Sequence, residues 1–64
     1  MILGYELFVG YNFSLEGVTI HRVYRRIHYT IESCSNRIAG LAKSYELEFV
    51  IITPFKLGDS DATI

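Results

Sequence analysis

"VTIHRVYRRIHYTI", residues 18–31, decides the fold of this chain because it reads two ways. Val18, Thr19, Ile20, Val23, Ile27, Thr30 and Ile31 are β-branched, and propensity alone favours a strand. The preceding "FSLEGV" (13–18) could close a hairpin with a left-handed glycine. Periodicity points the other way. At about 100° per residue, Ile20, Val23, Tyr24, Ile27, Ile31, Cys34, Ile38, Leu41, Ala42 and Tyr45 fall on one side. Arg22, Arg25, Arg26, Tyr29, Glu32, Ser33, Asn36, Arg37, Gly40, Lys43 and Ser44 fall on the other. The phase holds through "ESCSN", so the pattern predicts one helix over about 18–44.

Upstream, residues 2–13 alternate. Leu3, Tyr5, Leu7, Val9, Tyr11 and Phe13 share one face; Ile2, Gly4, Glu6, Phe8, Gly10 and Asn12 share the other. Period two with aromatic and branched residues predicts a strand. Its two glycines suit close approach of another backbone or ring. Downstream, "YELEFVIIT" (45–53) predicts a second strand, with Tyr45, Leu47, Phe49 and Ile51 opposite Glu46, Glu48, Val50 and Ile52, and Pro54 ends it. The polar, acidic remainder (56–64) reads as a mobile tail.

The order strand, long helix, strand predicts an α/β or small α+β chain. It forms a single β-α-β domain over 1–55, with parallel strands and a right-handed crossover. Helix and first strand match at roughly 40 Å each, so the amphipathic helix can lie along a two-stranded sheet. Two strands do not make a stable sheet. The uncovered face would still carry Phe8, Val50 and Ile52, which become the expected oligomer interface, with a homodimer as the first expectation.

Composition points the same way. A chain of 64 residues buries only about 60% of its unfolded surface, yet half of these residues are hydrophobic. The single cysteine, Cys34, rules out an internal disulfide and is too few for a zinc site built on thiolates. One free thiol, no signal-peptide pattern at the start, and no apolar run of membrane-spanning length suggest a reducing, cytoplasmic setting and no membrane. The formal charge of −1 provides no global field for a polyanion.

Little in the sequence carries catalysis. Cys34 lies on the apolar stripe, where free cysteines are usually inert. His21 and His28, two helical turns apart, are too distant to share a metal, and His28 with Glu32 at i, i+4 suits a local hydrogen bond. There is no glycine-rich phosphate loop at a helix start. No catalytic residue, metal ligand or cofactor is therefore expected.

The basic cluster remains. On a helix, Arg22, Arg25 and Arg26 crowd one face with Tyr29, and Arg37 lies further along. None of the three clustered arginines has an acid three or four residues away to neutralise it. These five residues are the candidate partner-binding site. Solvated charge is the plain alternative. The favoured expectation is a small non-catalytic regulator, adaptor or inhibitor that contacts a larger protein partner, since Arg and Tyr are enriched in interface hot spots. The runner-up is a nucleic-acid-binding regulator using the same face with Tyr29 stacking on a base. A third reading is a purely structural self-assembling subunit.

Overall fold

The deciding stretch is a strand for most of its length. In the computed structural model, which describes residues 1–56, four elements follow one another: β1 (Ile2–Leu15), β2 (Val18–His28), α1 (Ile31–Ser44) and β3 (Glu46–Lys56). The strands form one antiparallel sheet in the order β2-β1-β3. This overturns the β-α-β expectation with a helix over 18–44 on a two-stranded parallel sheet. The helix is about half as long, and the residues it gives up supply a third strand. Lys56 ends β3, and the remainder of the expected tail, 57–64, lies outside the described residues.

The hairpin turn explains why 18–28 is extended. Glu16 and Gly17 both have positive φ, 51° and 81°. Both central residues of a type I′ turn require this, and that turn matches the right-handed twist of the strands it joins. Leu15 pairs with Val18 across it, and the ladder runs from there to Tyr5 opposite His28. Glycine adopts this conformation freely, whereas Glu16 pays roughly 1 kcal/mol for its Cβ.

Helix α1 starts where the ladder stops. Thr30 is extended, and its side-chain oxygen accepts a hydrogen bond from the Ser33 N–H at 3.0 Å, a standard N-cap. Glu32 in the first turn and Lys43 in the last complement the helix dipole. At the other end the Tyr45 N–H donates to the Leu41 carbonyl, 2.9 Å away, and the extended backbone at Tyr45 leads into β3.

Cys34, Ile38 and Leu41, one stripe of α1, pack over Leu7 and Val9, with Tyr5, Tyr24 and Leu47 around them. Among the described residues, only Leu7, Val9 and Cys34 have fully buried side chains. Helix length sets this limit. Fourteen residues reach about 21 Å, while the molecule is 47 Å long. No helix among the described residues is long and apolar enough to cross a membrane.

Replacing Glu16 with Asn, which enters the left-handed region more readily, should stabilise the turn by about 0.5–1 kcal/mol. Thermal unfolding should show a midpoint a few degrees higher, and an unchanged or lower midpoint would contradict the type I′ assignment.

Candidate functional site

Residues opposite one another in an antiparallel ladder project to the same side. Phe8 faces Arg25 and Ile51, Gly10 faces Val23 and Phe49, and Glu6 faces Ile27 and Thr53. All of these lie on the side of the sheet away from α1. Val23 is 62% exposed, Ile51 49% and Phe49 39%. The result is an open apolar face with no element of the described chain over it.

Phe49 is seated there by a glycine. A Cβ on Gly10 would lie 2.1 Å from the Phe49 ring, so the ring lies across the bare backbone of β1. It meets Phe8 edge-on at 5.2 Å between centroids. Around this centre the charged groups are paired within the chain. Arg25 Nε donates to Glu6 Oε2 at 3.0 Å, with its guanidinium 5.3 Å from the Phe8 ring, and His21 Nδ1 lies 2.8 Å from Glu48 Oε2. Such exposed pairs contribute at most about 1 kcal/mol, but the Arg25–Glu6 pair leaves no unpaired arginine beside Phe8.

The expected binding cluster is divided by the strand. Arg22 and Arg26 share the helix side of β2 with Tyr24, opposite Tyr11, Leu7 and Val9. Arg25 projects to the open side. Arg37, on α1, lies 5.3 Å over the Tyr24 ring, which places three guanidiniums on the helix side. Tyr29, 78% exposed, occupies the short connection between β2 and α1. The expected interface residues are divided too. Phe8 is on the open side, while Val50 and Ile52 lie on the helix side, next to the buried Val9 and Leu7 and still partly exposed. Register decides this, because Phe8 faces Ile51, which puts Phe49 and Ile51 on its side instead.

His28 does not pair with Glu32. Its Nε2 is 2.7 Å from the Tyr24 hydroxyl and its Nδ1 2.7 Å from Ser33 Oγ. This is the spacing of a nucleophile, base and orienter, but the orienter is a phenol. Either neutral tautomer lets both hydroxyls bond the ring, because each hydroxyl can donate or accept. The chain of bonds ties the end of β2 to the first turn of α1. Among the described residues no group of three or more His, Cys, Asp or Glu is placed to hold a metal.

Comparison with protein families, curated proteins and solved structures finds no match to this chain. The sequence reading expected an uncovered face with Phe8 but gave it Val50 and Ile52 in place of Val23, Phe49 and Ile51, and it missed β2 as an outer strand. Its available signal was the rejected strand reading of 18–28, which places Arg22 and Arg26 beside Ile20 and Tyr24 and leaves Val23, Arg25 and Ile27 on the other side.

Gly10→Ala should dislodge the Phe49 ring and destabilise the fold by about 1–3 kcal/mol. Denaturant unfolding measures the loss, and the aromatic proton shifts of Phe8 and Phe49 should move with it. A neutral substitution would mean that the ring does not rest on Gly10.

Proposed function

We propose that this protein acts by binding rather than catalysis, as a regulator, adaptor or inhibitor that works as a homodimer through the open sheet face. The observation that carries this reading is the band of Val23, Ile27, Phe49 and Ile51 around Phe8, exposed where the described residues hold only three fully buried side chains. Monomeric proteins rarely leave such a continuous apolar patch in water.

A second copy fits for three reasons. Two sheets stack face to face at about 10 Å with inner side chains interdigitating, and the ridge of Phe8 and Phe49 provides that relief. The molecule is 47 Å by 26 Å, larger in outline than the roughly 800 Å² per partner of a standard interface. The Arg25–Glu6 pair beside Phe8 is already neutralised, so a two-fold arrangement sets no lone arginine against its own image there. A dimer also supplies the core that a chain of this size lacks.

Light scattering of the full chain, well above micromolar concentration, should give the mass of two chains. Ile51→Lys or Val23→Lys should give one chain with an unchanged circular dichroism spectrum. A wild-type chain that stays single under those conditions would overturn the proposal.

A further inference from the structure

We infer that the free edge of β2 captures an extended acidic segment of another protein as a fourth strand. The segment alternates carboxylate and apolar side chains. This inference rests on the reading of the chain as a binding module and names the partner's chemistry; it uses the backbone edge of β2, and it borders the dimer face only at Val23 and Ile27.

The edge comes first. In a two-residue hairpin the closing pair exchanges its backbone hydrogen bonds, and every second pair repeats this. From Leu15–Val18 upward, the backbone of Ile20, Arg22, Tyr24, Arg26 and His28 therefore bonds to β1. Thr19, His21, Val23, Arg25 and Ile27 aim N–H and C=O away from the sheet, and β2 is an outer strand. It is eleven residues long, with no proline and no register shift. The outer edge of β3 differs. Pro54, opposite Tyr5, occupies an outward position where a donor is missing, and a bulge interrupts the strand between the partners of Gly10 and Tyr11. One edge is blunted and the other is open.

Charge selects what can pair there. Arg22 and Arg26 lie on the helix side of β2, about 13 Å apart by the strand rise, with Arg37 over Tyr24 between them. Among the described residues, neither Arg22 nor Arg26 has a carboxylate within salt-bridge distance, unlike Arg25, which binds Glu6. A second β2 is a poor occupant, because antiparallel self-pairing sets a strand of three arginines against its copy. An acidic strand meets Arg22 and Arg26 on the helix side. Its alternate residues fall beside Val23 and Ile27 on the open side, where apolar side chains fit. Main-chain bonds would give affinity and the two alternating rows specificity.

The test titrates a blocked, fluorescent peptide alternating Glu and Val, long enough to span Thr19–Ile27, into the full chain at physiological salt. Binding by anisotropy is expected, with none for the Lys–Val counterpart. Backbone N-methylation at alternate residues, which preserves charge but removes donors, should weaken binding about tenfold or more. Arg22→Glu with Arg26→Glu should reverse the preference towards the Lys–Val peptide. If that variant does not fold, the N-methylated arm on the wild-type chain decides. Absence of binding, equal binding of the N-methylated or Lys–Val peptide, or displacement by an equimolar single-stranded oligonucleotide would overturn the inference, the last in favour of phosphate. Mass measured in the same samples keeps the two proposals apart. A single chain that binds the peptide defeats only the dimer, and a dimer that ignores it defeats only the captured strand.

Discussion

Coverage of the sheet by the helix is the constraint from which the rest follows. A helix rises 1.5 Å per residue and a strand about 3.4 Å, so elements of equal length cannot match in span. Here α1 and β1 each have fourteen residues. The helix therefore shields less than half of the central strand, and the dry core shrinks to Leu7, Val9 and Cys34. Even level with it, Val50 and Ile52 on the outer strand β3 stay partly wet on the same side, while the reverse side has no cover in the described chain. Such a chain has little burial to set against its conformational entropy, and each further apolar contact counts for more than in a larger domain.

The first strand was legible because one side of 2–13 is wholly apolar and no helical period fits it. Residues 18–28 were misread for an identifiable reason. Ile20, Val23, Tyr24 and Ile27 are spaced i, i+3, i+4, i+7, which is a helical stripe. In a strand the same spacing puts Ile20 and Tyr24 on one side and Val23 and Ile27 on the other. An outer strand with both sides partly wet can carry that pattern, with arginines interleaved at little cost. True helical phase begins at Cys34, Ile38 and Leu41, and the apparent continuity across Thr30 is coincidence. The local signals that favoured the strand, β-branched residues and the glycine in "LEGV", were outweighed by the length of the match.

The binding residues were legible by type and not by grouping. An arginine cluster without local acids was visible in the sequence, and the structure gives one member, Arg25, a partner in Glu6, 19 residues away. No spacing rule reaches that pair, because it depends on the hairpin register. A second register, that of β1 with β3, gathers Phe8, Phe49 and Ile51 and separates Val50 and Ile52 from them. The Glu16–Gly17 turn sets what β2 gives to each surface: a slip of one residue would exchange every side chain of β2 between the two sides.

The antiparallel order β2-β1-β3 also orders the chain in time. Contacts of β1 with β2 begin at neighbours across a two-residue turn, whereas those with β3 join Asn12 to Glu46 and Ile2 to Lys56. Closing the longer loop carries the larger entropy penalty, so the hairpin is the cheaper first step and β3 the later addition. Until β3 docks, the central strand has a second bare flank along Glu6, Phe8 and Gly10, with neither proline nor bulge to protect it. Ribosomal synthesis, which delivers β3 after everything else described here, lengthens that interval. The nascent chain is thus most exposed to mispairing along the strand that ends up most enclosed.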